Sequence, residues 1–158
     1  MKLKQISVFI ENSPGRIFEV TEALGEAGIN LRALNLVETS DFGVLKLLVS
    51  DVSTARRILM QKQIPAKVNE VVAAKIPDRP KSLSGLLRPL LKAQVHVEYM
   101  YAFAGLREND AVMIFRFSDN DQAIRILQDQ GVTLLDAEAF GMLESAGAGA
   151  ADTFTRED

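Results

Sequence analysis

Val44-Leu45-Lys46-Leu47-Leu48-Val49-Ser50-Asp51 returns sixty-eight residues later as Val112-Met113-Ile114-Phe115-Arg116-Phe117-Ser118-Asp119. An apolar strand running into Ser-Asp, a helix-start signal, thus occurs twice. Over the wider window 43–68 laid on 111–136, seven of 26 positions are identical. Upstream, residues 5–39 laid on 71–105 share only four of 35 identities, among them Pro14/Pro80 and Leu24/Leu90, but keep the apolar pattern. The step in offset from 66 to 68 places a two-residue insertion in a turn near Ala104–Asn109, where insertions are tolerated. The chain reads as one unit written twice.

Each unit reads β-α-β-β-α-β. Gln5–Ile10 alternates, with Ile6, Val8 and Ile10 on one face, and is a strand. Ser13-Pro14 then signals a helix: Ser to cap, Pro at a first position that needs no donor. Ile17, Val20, Leu24 and Ala27 follow at helical spacing, and Gly28 stops the helix. Ile29–Thr39 and Gly43–Ser50 pair across a turn at Ser40-Asp41. Asp51 or Ser53 caps a second helix ending near Gln63, and Ala66–Val68 opens the last strand. The second unit repeats this with Glu70–Ile76, Leu83–Ala93, Val95–Phe103, Ala111–Ser118, Asp121–Gln130 and Val132–Ala137. Pro89 falls inside that unit's first helix, which is expected to start late or break. The division expected is 1–68 for unit one, 69–140 for unit two and 141–158 for a loosely held tail, with no linker at Val68-Asn69-Glu70.

The fold class expected is α+β: two tandem ferredoxin-like units, each an antiparallel sheet with helices on one face. Leu45, Leu47 and Val49, with Met113, Phe115 and Phe117, face the helices. Phe9, Leu34, Leu36, Leu48, Val71, Met100 and Ile114 map to the opposite face, which predicts a homodimer packed sheet on sheet. Tyr99 and Tyr101 share the face of Val95 and Val97 and are expected to pack in the core.

The stretch Asn12-Ser13-Pro14-Gly15-Arg16-Ile17, with Gly28-Ile29-Asn30-Leu31 entering the second strand, resembles the ACT domain. That family is a small-molecule regulatory module of amino-acid-metabolism enzymes, and the likeness is in particular to its serine-sensing form. It covers residues 4–138 as two copies, and Val97–Phe103 resembles stand-alone tandem ACT proteins that carry no catalytic domain. The resemblance implies that a free amino acid binds where two units meet. Asn12 matches the loop amide of the family site and Asn30 its strand-two amide; Asp78 and His96 hold those places in unit two. The implied ligand-binding set is Asn12, Ser13, Pro14, Gly15, Arg16, Ile17, Asn30, Leu31, Asp78 and His96, with Asn12 meeting His96 and Asp78 meeting Asn30. A helix N-terminus suits the α-carboxylate, and Gly15 lets a ligand approach the backbone. Gly15 becomes Lys81 in unit two, so the Asn12–Ile17 site is expected to be the better one.

Composition narrows the alternatives. The 158 residues are 47% hydrophobic and 25% charged, with a net charge of −3, one histidine and no cysteine. These values give no electrostatic reason for nucleic acid or anionic membrane and exclude disulfides, thiolate metal sites and a Cys nucleophile. No phosphate loop, dinucleotide fingerprint or His-Glu-x-x-His is present, so no catalysis, cofactor or metal is expected. Asp119-Asn120-Asp121 has a metal-like composition but is explained as a helix cap. The function expected is a cytoplasmic, non-enzymatic regulator that binds an amino acid and acts on an enzyme of amino-acid metabolism. The alternative is a ligand-independent oligomerisation or docking module.

Overall fold

The computed structural model describes residues 1–11, 13–39, 41–104 and 109–142. Asn12, the Ser40 turn, the insertion at 105–108 and the tail from 143 onward lie outside the described residues. The elements run β1 (Leu3–Glu11), α1 (Arg16–Glu26), β2 (Leu31–Glu38), β3 (Phe42–Val49), α2 (Val52–Gln61), β4 (Ala66–Pro77), α3 (Ser82–Lys92), β5 (Val97–Ala104), β6 (Asp110–Phe117), α4 (Asn120–Asp129) and β7 (Thr133–Leu135). A 3₁₀ turn at Glu138–Phe140 follows. This is the expected α+β class, two βαββαβ patterns in series, with all strand pairs antiparallel.

The single twelve-residue strand β4 joins the two patterns. Its first half pairs with β1, from Val8↔Ala66 to Leu3↔Val71. Its second half pairs with β6 and β7, from Val72↔Phe115 to Pro77↔Asp110 on the β6 side. The strand order is β2-β3-β1-β4-β6-β5, with β7 on β4. Asp51 caps α2 through the Thr54 amide at 3.1 Å, and Asp119 caps α4 through the Gln122 amide at 2.9 Å. Capping therefore accounts for Asp119.

The helix-facing rows are apolar as expected. Leu45, Leu47 and Val49 are buried in one cluster; Met113, Phe115 and Phe117 are buried in another, where the two phenylalanine rings stack at 5.0 Å. The helix-free face departs from expectation. Gln5 on β1 is fully buried, and its Nε2 donates to the Tyr99 hydroxyl at 2.8 Å while its Oε1 accepts from the Tyr101 hydroxyl at 2.7 Å. Those tyrosines lie on β5, three strands away in the sheet order. The sheet must curl so that its helix-free faces close on one another. Ser7 extends the network, donating to Asn69 at 3.0 Å, and the Lys46 ammonium sits 3.4 Å from the Tyr99 ring centroid. Burial pushes the Tyr101 hydroxyl above the usual phenol range and pulls Lys46 below the usual lysine value.

Curling corrects the interface expected from sequence. Leu48, Val71 and Ile114 are buried by the chain itself and need no second copy to cover them. Leu34, Leu36 and Met100 are exposed, but on the other face. A one-residue register slip between Leu31 and Ala33 pairs Leu34 with Leu47 and Leu36 with Leu45, on the helix side. The same slip between Val97 and Tyr99 pairs Met100 with Phe115 and turns Tyr101 inward beside Ile114. The tyrosines therefore leave the face of Val95 and Val97 and form the inner seam.

Three local expectations also change. The helix N-cap is Gly15, not Ser13, and Ser13-Pro14 belongs to the preceding turn, closed by Ser13 N–H to Glu11 O at 2.8 Å. Pro89 neither delays nor breaks α3, which runs unbroken from Ser82 to Lys92. Gly141 and Met142, assigned to a loose tail, are docked: Met142 is buried in the unit-one cluster, and Gly141 lies against the Arg32 guanidinium, which would be 2.9 Å from an added Cβ.

Replacing Gln5 with Ala leaves two tyrosine hydroxyls without their amide, and is expected to cost about 2–3 kcal/mol in urea unfolding. The double variant Gln5→Leu/Tyr101→Phe is expected to lose less than the two single changes added, because only the half-buried Tyr99 hydroxyl is then left without the amide. A raised Tyr101 pKa means its contribution is complete below the unfolded value, about 10, and is lost as pH rises toward the folded value. Alkaline titration of stability should show that loss, and Tyr101→Phe should reduce it.

Candidate functional site

The loop after β1 is built around Gly15, whose φ of +88° is left-handed backbone that a Cβ disfavours. Nothing lies within 4 Å of where that Cβ would stand, so conformation rather than crowding selects glycine. Lys81 holds the equivalent place before α3 with φ +69°, so unit two adopts the same turn under strain. The hydrogen bonds repeat as well. Arg16 N–H to Ser13 O at 3.4 Å matches Ser82 N–H to Arg79 O at 3.3 Å.

Beside Gly15 a crevice of about 220 Å³ opens between the loop, the first turn of α1 and the ends of β2 and β3. Ile10, Ile17 and Leu36 supply apolar walls; Glu11, Arg16 and Glu38 supply charge; Ser13 and Gly43 complete the lining. Gly43 keeps the floor open, since a Cβ there would stand 3.3 Å from both Ile10 and Leu36. The Arg16 guanidinium bridges Glu19 at 3.0 Å and Glu11 at 3.4 Å, and those carboxylates, Glu19 first, raise its pKa. At the start of α1 the helix dipole points positive, and Gly15 has no side chain to cap it.

The expected site residues divide. Ser13, Arg16 and Ile17 line the crevice, with Pro14 and Gly15 in the same turn; Asn12, between them and Glu11, lies outside the described residues. Asn30, Leu31, Asp78 and His96 do not line it. Asn30 and Leu31 sit at the far end of their own sheet, where Leu31 pairs Val49, while the loop lies at the Ile10↔Gly43↔Glu38 end. His96 holds the matching place in unit two. The Asn30 N–H donates to Ser50 Oγ at 2.9 Å and its carbonyl accepts from the Ser50 N–H at 2.9 Å, and the His96 N–H donates to Ser118 Oγ at 3.0 Å while its carbonyl accepts from the Ser118 N–H at 2.9 Å. Asp78 follows the far end of β4, roughly 40 Å of strand from the unit-one loop. The walls expected from the other unit are thus supplied by unit one's own β2 and β3.

A second feature escaped sequence reasoning. Unit one has a cleft of about 340 Å³ between the end of β1, α1 and the α2–β4 connection. Unit two has one of about 510 Å³ at the same place, and every residue lining the first has its repeat mate lining the second. Glu19 is replaced by Gly85 and Arg16 by Ser82, which widens it; Phe9 and Phe42 are replaced by Lys75 and Asp110, an ion pair at 2.9 Å. The repeat alignment contained this pairing, but the alignment alone does not show that the residues converge. Among the described residues no three His, Asp or Glu side chains are grouped to hold a metal ion, and no helix is long and apolar enough to cross a membrane.

The model of the ACT domain pair family matches residues 1–147, and the chain belongs to that family. The ACT domain pair is a regulatory domain. The fold is similar to that of protein BT0572 from Bacteroides thetaiotaomicron, with a TM-score of 0.85 and 38% identity over 90% of this chain and 98% of that one. It is also similar to the ligand-free regulatory subunit of aspartate kinase from Thermus thermophilus, with a TM-score of 0.57 and 15% identity over 80% of this chain and 90% of that one. No curated protein matches.

Gly15→Ala is expected to cost about 1 kcal/mol in thermal or urea unfolding through its positive φ. Gly25→Ala, inside α1 with nothing near its Cβ, is expected to stabilise by about 0.5 kcal/mol, so the two changes should have opposite signs.

Proposed function

We propose that this ACT pair is a non-catalytic regulator that binds a free amino acid in the crevice beside Gly15. The observation that carries the reading is the meeting of three chemistries in a space of about 220 Å³. The uncapped, positive end of α1 suits an α-carboxylate. Glu11 and Glu38 suit an α-ammonium. Ile10, Ile17 and Leu36 suit an aliphatic side chain. Asn12, in the same loop, joins the ligand's polar groups. Pro14 shapes the turn, and Ser13 and Arg16 stand at the rim. In this reading Asn30, Leu31, Asp78 and His96 close strands and loops elsewhere and do not touch the ligand.

Binding favours whichever arrangement of the loop and β2 has the higher affinity, and a partner senses that difference. The proposed partner is an enzyme of amino-acid metabolism, and the proposed setting is the cytoplasm. The boundaries 1–68 and 69–140 remain a proposal for how ligand and partner surfaces are divided, with β4 crossing between them.

Calorimetric titration of the full chain against each of the twenty amino acids tests the reading. Saturable binding of at least one is expected, with Asn12→Ala and Glu38→Gln each weakening it about tenfold and Ile17→Asp abolishing it. Absence of binding to all twenty, or equal affinity in those three variants, would remove the proposal and leave a docking module.

A further inference from the structure

Binding at the Gly15 crevice leaves the paired clefts beside α1 and α3 without a role. In unit one Arg16 and Glu19 line the cleft and pair at 3.0 Å. Unit two has Ser82 and Gly85 at those positions, and its cleft holds about 510 Å³ against about 340 Å³. Gly85 stands inside α3, where glycine is less favourable than alanine. Nothing lies within 4 Å of where its Cβ would stand, so no neighbour excludes a side chain. Packing and helix formation both permit a larger residue here. What the glycine preserves is open space at the cleft.

Ser82 lines the same cleft. Its hydroxyl oxygen is buried and has no hydrogen-bond partner among the described residues. A buried hydroxyl without a partner destabilises the folded chain, so folding alone gives no reason for this serine. Rotation about its single side-chain bond presents the hydroxyl to the cleft. Ser82 belongs to the first turn of α3, whose N-terminus has no side-chain cap. Partial positive charge and an unsatisfied hydroxyl at one wall favour an anionic oxygen. The rest of the lining selects among anions. Lys75 and Asp110 are its only charged residues, and they pair at 2.9 Å. An ammonium brought to Asp110 must displace Lys75, so the cleft does not favour a zwitterion. Gln130 and Thr133, both exposed, offer hydrogen bonds to hydroxyl or oxo groups. Ile76 and Leu86, both buried, supply apolar wall for a short carbon skeleton.

We propose that the unit-two cleft is a second ligand site, separate from the Gly15 crevice, and that it takes a small hydroxy or oxo carboxylate without an α-ammonium. The carboxylate lies at the first turn of α3 and accepts from the Ser82 hydroxyl. The ligand's hydroxyl or oxo oxygens meet Gln130 and Thr133.

Calorimetric titration of the full chain with the sodium salts of lactate, malate and 2-oxoglutarate tests the site, with sodium chloride at matched ionic strength as the blank. Saturable binding of at least one is expected, with a rise in melting temperature that chloride does not give. Ser82→Ala should weaken that binding about tenfold and leave the unliganded melting temperature unchanged or higher, because a stranded hydroxyl is removed. A serine required only for structure would lower it. Ser82→Arg/Gly85→Glu transplants the Arg16–Glu19 pair of unit one and should abolish binding with an unchanged circular dichroism spectrum. Asn12→Ala should leave affinity for the acid as it was, which separates this site from the Gly15 crevice. Binding of the acids stands or falls independently of whether any amino acid binds there. No saturable binding of any of the three acids would overturn the proposal. So would unchanged affinity in Ser82→Ala and in the transplant, a lower melting temperature for unliganded Ser82→Ala, or loss of binding in Asn12→Ala.

Discussion

The fold depends on one amide. Gln5 lies between the hydroxyls of Tyr99 and Tyr101, donating to one and accepting from the other, with no exposure of its own. A buried primary amide without partners would be costly, and a buried phenol and a half-buried one without partners would add to that cost. Satisfying one another, they hold β1 against β5 across a sheet in which two other strands intervene. The surrounding Leu3, Leu48, Val71, Ala73, Val112 and Ile114 contribute most of the burial energy, which has no direction. The amide supplies the direction, fixing how far the sheet curls and which residues meet. That curl decides which apolar residues are core and which remain as surface.

The repeat made the fold legible. Strand-like alternation, Ser-Asp before the second helix of each unit and Gly28 after α1 were all readable as local chemistry, and β4 as a strand without a linker followed from the chain's continuity. The face assignments were not. Each unit has a one-residue slip on its second strand, and a slip of one reverses every later side chain. Alternation counted from Val95 therefore put Tyr101 on the wrong side, and Met100 with it. Nor does anything in the sequence announce that a face with apolar residues is covered by the chain's own other half. A second chain and a curled sheet leave the same pattern.

At the site, the loop from Glu11 to Ile17 was legible because Pro-Gly at a helix start has a conformational meaning. Gly15 is required by its φ, although the cap it forms is backbone geometry rather than a serine hydroxyl. The walls were not legible. The resemblance to the family implied strand-two partners, His96 for the Asn12 loop and Asn30 for Asp78, and neither His96 nor Asn30 lines the crevice. Leu36, Glu38 and Gly43, which close the crevice, carry no motif. They are found only when β2 is paired with β3 and β3 with β1.

The two units spend the same fold differently. Unit two turns Tyr99 and Tyr101 of its second strand inward, and at its first-helix turn accepts a left-handed lysine where unit one has glycine. Its cleft beside α3 is wider, with Ser82 and Gly85 where unit one has Arg16 and Glu19, and the ion-paired Lys75 and Asp110 in its lining. Unit one keeps the relaxed Gly15 turn, the apolar crevice and a terminal strand with outward leucines. One copy thus helps build the seam while the other keeps its apolar and charged groups at the surface. Duplication supplies the reason this division can persist. A single βαββαβ sheet would have to cover its own helix-free face by association, whereas the paired chain covers the part around Gln5, Leu48, Val71 and Ile114 internally and leaves Phe9, Val37 and the Gly15 loop outside that constraint.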